Sequence, residues 1–112
     1  MKNFHTKISL FKNKKIRKIL HENEWYFSVI DVVDALVESA NPRDYWFKIK
    51  TRVEQEEKIQ LSTICRQLKL ESSDGKQYKT DCANTEGIFQ SIAKRFKAGF
   101  KIIPKTLFLQ LI

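Results

Sequence analysis

The stretch WYFSVIDVVDALVESANPRDYW, from Trp25 to Trp46, constrains the fold more than any other part of the chain. A helix start, a buried helical face and a proline turn follow one another within it. Trp25, Tyr26 and Phe27 make an aromatic run too short for a helix. Ser28 follows as an N-cap, with Asp31 three residues on in the place of the glutamate of a capping box. The spacing predicts a helix from about Val29. Val29, Val32, Val33, Leu36 and Val37 recur at the intervals of one helical face, which leaves Asp31, Asp34 and Glu38 largely towards solvent. Valine is a weak helix former, so burial has to hold this helix. Ser39 and Ala40 close it. Asn41 and Pro42 then supply a cap and a proline at the first position of a second helix, where the missing N–H costs nothing.

The second helix, from Pro42 to about Val53, has two distinct faces. Tyr45, Trp46, Ile49 and Val53 fall on one side and must meet the core or the first helix. Phe47 points the other way, flanked by Arg43 and Lys50 on an exposed surface, with Lys48 and Arg52 further round. An exposed aromatic between bases is the composition of a surface that stacks on nucleobases or contacts a groove. Packing of Phe47 under the N-terminal strands or a neighbouring subunit is the other reading, and the sequence leaves both open. Two helices joined by a tight turn also have the outline of a helix-turn-helix, but the turn lacks glycine and the likeness is generic.

Around this pair the chain reads as strands. Ile8 and Leu10, then Ile16, Lys18 and Leu20, show period-two alternation, with turns at Lys12–Lys14 and His21–Glu24, so a three-stranded antiparallel meander ending in Trp25–Phe27 is expected. Lys14, Lys15 and Arg17 cluster at the first turn, as a phosphate contact or simply a charged tip. Glu54–Lys58 is a solvated charge run, and Ile59–Arg66 fits either a helical turn or a strand. Gln67–Glu71 and Gln77–Thr80 alternate around Ser72-Ser73-Asp74-Gly75, which makes a second hairpin. Asn84 caps a last helix with Ile88, Phe89 and Ile92 as its apolar stripe, and Gly87 within it implies a close packing approach.

Several of these pieces occur together in one family. Ile16-Arg17, Trp25-Tyr26-Phe27, Asp31-Val32, Asn41-Pro42-Arg43 with Tyr45-Trp46, the run LSTICRQLKL from Leu61 and DGKQYKTDCANTEGIF from Asp74 resemble the BRO-type N-terminal domain of phage antirepressors, baculovirus repeated-ORF proteins and proteins like DNA-damage-inducible protein D. The resemblance covers roughly residues 8 to 92. It implies a domain at 1–92 followed by a divergent basic and apolar tail at 93–112. That tail reads either as a prolonged helix with a docked last strand or as a truncated remnant, and the remnant is the expectation.

At 112 residues, with 42% hydrophobic residues, 12% aromatic residues, 3 Gly and 2 Pro, the chain suits one small folded α+β domain. The formal charge of +8 sits at the ends: residues 1–20 carry seven bases and no acid, and residues 91–112 five and none. The middle holds nine bases against 13 acids. Charge alone therefore supports nucleic-acid binding only weakly. No apolar run matches a membrane span or a secretory signal, so a cytoplasmic setting is expected, with Cys65 and Cys82 as free thiols. Phosphate loops, nucleophile elbows and zinc-finger spacings are missing from the sequence, so neither catalysis nor a cofactor or metal is expected. The resemblance implies a non-catalytic DNA-binding regulatory module of antirepressor type. Its expected contacts are Arg43, Phe47, Lys48, Lys50, Arg52, Lys14, Lys15 and Arg17. The rival reading is a module that inactivates a phage repressor by direct contact. Single- or double-stranded DNA, a repressor protein and a second copy in a homodimer are the partners compatible with these readings.

Overall fold

A computed structural model describes residues 6–11, 13–36 and 41–92. The meander consists of β1 (Lys7–Phe11), β2 (Lys14–His21) and β3 (Glu24–Ser28), followed by helices α1 (Val29–Leu36) and α2 (Pro42–Gln55). A 3-10 turn at Leu61–Thr63 leads into the hairpin β4 (Arg66–Glu71) and β5 (Gln77–Ala83), and α3 (Thr85–Ser91) completes the described chain. One five-stranded antiparallel sheet joins both halves in the order β1-β2-β3-β5-β4. This is the α+β arrangement expected from the sequence. The ambiguous stretch before β4 resolves into the short helical turn followed by a strand.

Local chemistry explains the joints. Glu22 and Asn23 both take positive φ between the paired residues His21 and Glu24, the geometry of a two-residue hairpin turn that follows the twist of its strands. Ser28 Oγ accepts from Asp31 N at 3.3 Å, Asn41 Oδ1 from Asp44 N at 3.1 Å and Asn84 Oδ1 from Gly87 N at 2.8 Å, so each helix opens on its expected cap. The capping box at α1 needs correction, because the Asp31 carboxylate turns to Arg17. It accepts from the Arg17 backbone N–H at 3.0 Å, from Nε at 2.7 Å and from Nη2 at 3.1 Å. Asp31 is thus a half-buried ion-pair partner and not a solvent-facing acid.

Two apolar clusters form among the described residues. Ile16, Phe27, Val29, Val32, Val33, Trp46, Ile49, Val53, Ala83, Ile88 and Ile92 pack where the helices meet the sheet, whereas Ile19, Tyr26, Leu70 and Cys82 make a second group. Neighbouring residues such as Tyr26 and Phe27, or Cys82 and Ala83, belong to different clusters because side chains alternate across a strand. Both faces of the sheet are therefore used. This overturns the simple alternation expected in the meander: Ile16 and Ile19 are buried, while Ile8, Leu10 and Leu20 are exposed. Phe89 is likewise exposed, and Gly87 and Ser91 join Ile88 and Ile92 in the buried face of α3. Gly87 sits there for a steric reason, since a Cβ at this position would fall on the Ile64 carbonyl oxygen. The proposed end of α1 at Val37–Ala40 and the tail at 93–112 lie outside the described residues.

Candidate functional site

The inner face of α2 meets β5 through a buried indole and a carboxylate. Trp46 is only 2% exposed, yet its N–H needs a partner, and Nε1 donates to Asp81 Oδ2 at 2.8 Å. One turn further along α2, Lys50 Nζ reaches the same oxygen at 3.0 Å and lies 5.7 Å from the centre of the Trp46 ring. Gln67 Nε2 donates to Asp81 Oδ1 at 3.3 Å. Burial pushes the Asp81 pKa upward, but the three hydrogen bonds and the Lys50 charge outweigh it and hold the carboxyl below its ordinary value. Helix, strand and carboxylate are thus tied together, with the carboxylate ionised at neutral pH.

Beside this knot lies a cleft of about 600 Å³ between α2 and the β4–β5 hairpin. Phe47 and Arg43, one helical turn apart, stand on its α2 side. Phe47 is 63% exposed, and Arg43 has no ion pair or side-chain hydrogen bond among the described residues. Across from them β5 contributes Tyr78 and Lys79, both exposed. The Tyr78 hydroxyl donates to Asp74 Oδ2 at 2.6 Å in the hairpin turn, which holds one edge of the ring while leaving the residue open to solvent. Two exposed aromatics and two exposed bases therefore line one cleft.

The residues proposed from sequence are only partly gathered here. Arg17, Arg43, Phe47 and Lys50 line the cleft, whereas Lys14, Lys15, Lys48 and Arg52 do not. Lys50 departs from its expected place on the open surface, because Asp81 draws it back against Trp46 and half buries it. Arg17 is committed to Asp31 and also donates through Nη1 to the Glu71 carbonyl at 3.2 Å and through Nη2 to Ser28 Oγ at 3.3 Å. Lys14 pairs with Asp34 at 3.5 Å, Lys48 with Asp44 at 3.2 Å and Arg52 with Glu56 at 3.6 Å, all at the surface. Lys15 is exposed and makes no ion pair among the described residues.

Sequence reasoning missed Tyr78, Lys79 and Asp81. The alternation at Gln77–Thr80 marks a strand without saying what it faces. The usable signal was Trp46, a core indole that had to find an acceptor. Cys65 and Cys82 are free thiols, and burial pushes them up to about 11 and about 12, so neither forms a reactive thiolate at neutral pH. Among the described residues no group of three or more His, Cys, Asp or Glu side chains could hold a metal ion, and no helix is long and apolar enough to cross a membrane.

Comparison with curated proteins and with solved structures returns no match. Comparison with protein families does: the profile of the BRO family, N-terminal domain, matches residues 15–106. The match includes both sides of the cleft and continues through residues 93–106, part of the segment set apart as a tail on sequence grounds. Because it spans most of the sequence, the chain belongs to the BRO family through its N-terminal domain.

Proposed function

We propose that the chain is a non-catalytic DNA-binding module of the phage antirepressor type, working in the cytoplasm, and that nucleic acid lies along the cleft between α2 and the β4–β5 hairpin. The observation that carries this reading is the exposure of Phe47 beside unpaired Arg43, with Tyr78 and Lys79 opposite. A ring held open to water at a cleft wall is a stacking platform, and a base on such a platform contributes about 1–3 kcal/mol. Arg43 and Lys79 have charge available for phosphate, whose neutralisation releases counterions and makes binding salt-dependent. Lys48 and Arg52, on the outer side of α2, are held only by exposed i,i+4 pairs of about 0.3–0.5 kcal/mol, so they can turn to a phosphate backbone at little cost.

The test separates the two kinds of contact. In gel-shift titrations on single- and double-stranded DNA at two salt concentrations, Arg43→Ala weakens binding and lowers the salt slope by about one unit. Phe47→Ala loses about 1–3 kcal/mol on single strands with the slope unchanged. Circular dichroism verifies that each variant is folded. If both bind DNA with the parent's affinity at low salt, the cleft is not the DNA site, and direct inactivation of a repressor protein becomes the better reading.

A further inference from the structure

Tyr78 stands on the cleft wall 48% exposed, where packing does little to fix a ring. A hydrogen bond fixes it instead. Its hydroxyl donates to Asp74 Oδ2 at 2.6 Å, the length of a charge-assisted bond. The other carboxylate oxygen is engaged too, since Asp74 Oδ1 accepts from the Lys76 N–H at 2.8 Å. The turn beneath is closed by the Gly75 N–H on the Ser72 carbonyl at 2.9 Å and the Ser72 N–H on the Lys76 carbonyl at 2.8 Å, with Gly75 at a φ of 83° that suits a residue without a Cβ. The Tyr78 hydroxyl and then the Lys76 N–H hold the Asp74 carboxyl below its ordinary value, so it is an ionised acceptor at neutral pH. Turn backbone, carboxylate and ring are thus linked by one run of hydrogen bonds.

A carboxylate beside a surface for a polyanion needs a reason, because its charge alone repels phosphate. Asp74 lies outside the cleft lining and meets it through the Tyr78 ring. We propose that Asp74 is a positioning residue, which fixes the Tyr78 ring before nucleic acid arrives and makes it a preset second stacking surface opposite Phe47. Ordering a side chain in advance removes that cost from binding, which for one residue amounts to about two- to tenfold in affinity. The inference rests on the reading of the cleft as a nucleic-acid site and names the residue that prepares its β5 wall.

Fluorescence anisotropy of the full chain with labelled oligothymidine tests this, with circular dichroism to verify that each variant is folded. Tyr78→Phe keeps the ring, removes the bond to Asp74 and weakens binding about two- to tenfold. Asp74→Ala weakens it to the same extent although it takes away a negative charge. Asp74→Asn keeps an acceptor for the Lys76 N–H and a partner for the tyrosine hydroxyl, and binds at least as tightly as the parent. The double variant Asp74→Ala, Tyr78→Phe binds no more weakly than either single one, because both break the same bond. Tyr78→Phe or Asp74→Ala with the parent's affinity or better overturns the proposal. Additive losses in the double variant overturn it as well, because the hydroxyl then contacts the nucleic acid directly. Those failures leave the losses at Arg43→Ala and Phe47→Ala in place; if these two also bind like the parent, the reading of the cleft fails and the proposal falls with it.

Discussion

Replacing Asp81 by asparagine tests the polar knot that builds the cleft. The carboxylate takes hydrogen bonds from Trp46, Lys50 and Gln67, and its side chain is 14% exposed. Asparagine keeps one acceptor, which the Trp46 N–H can still use, but it removes the charge that holds Lys50. A hydrogen bond to a charged group contributes about 1.5–3 kcal/mol. Lys50 is half-buried and can swing into water once released, so the net loss falls to about 1–2 kcal/mol. Asp81→Ala costs more, about 2–4 kcal/mol, since it also leaves the buried Trp46 N–H without a partner. Urea unfolding followed by tryptophan fluorescence measures both. Release of Lys50 also adds a free cation to the cleft, so in DNA titrations Asp81→Asn steepens the salt slope by about one unit. Asp81→Asn with the parent's urea midpoint, or Asp81→Ala no worse than Asp81→Asn, would refute the geometry on which the site rests.

Other perturbations give equally definite signs. Gly87→Ala gains about 1 kcal/mol of helix propensity but places a Cβ on the backbone oxygen of Ile64, so the net effect is a lower melting temperature; a higher one would show that α3 does not pack against the 3-10 turn. Trp46→Ala empties the space between α2 and the sheet and costs about 3–5 kcal/mol by urea unfolding, a large share of a small domain's stability. The pH dependence follows from Asp81. Its folded-state pKa is depressed, so its contribution is present above the unfolded value of about 3.9 and is lost as pH falls through the folded one. Urea midpoints at pH 7 and pH 3 should therefore differ less for Asp81→Asn than for the parent.

What was legible in the sequence was local chemistry. Ser28, Asn41 and Asn84 announce their helices because a cap acts over three residues, and Trp46, Ile49 and Val53 disclose the inner face of α2 by spacing alone. Gly87 could be read as a close approach, though not as an approach to Ile64. The errors arose where a side chain's environment comes from a distant strand. Leu20 and Phe89 fit apolar patterns but stay largely exposed, and Ile19 is buried on a face the simple alternation left to solvent. Lys50 has a helical position that belongs to the surface and a side chain that belongs to Asp81, 31 residues away. Periodicity reports the direction of a Cβ, and a long cation can follow a carboxylate away from it.

The same distinction ranks the bases as candidates for a phosphate. Seven bases were named from the sequence, and five of them sit on acids in the fold. These five are not equivalent. Lys14, Lys48 and Arg52 hold surface partners, and such pairs contribute less than about 1 kcal/mol each. A bound strand can take them over. Arg17 is different: its guanidinium grips both Asp31 oxygens, caps the end of β4 at Glu71 and touches buried Ser28. Turning it towards a phosphate would strand a half-buried carboxylate, a loss that a single phosphate contact does not recover. Lys50 stands between these cases, since Asp81 would keep its bonds from Trp46 and Gln67 if the lysine left. Arg43, Lys15 and Lys79 have no acidic partner to give up among the described residues. Of these, Arg43 and Lys79 lie on the cleft with exposed rings beside them, so the position of free charge, more than its total, makes the cleft the place to look.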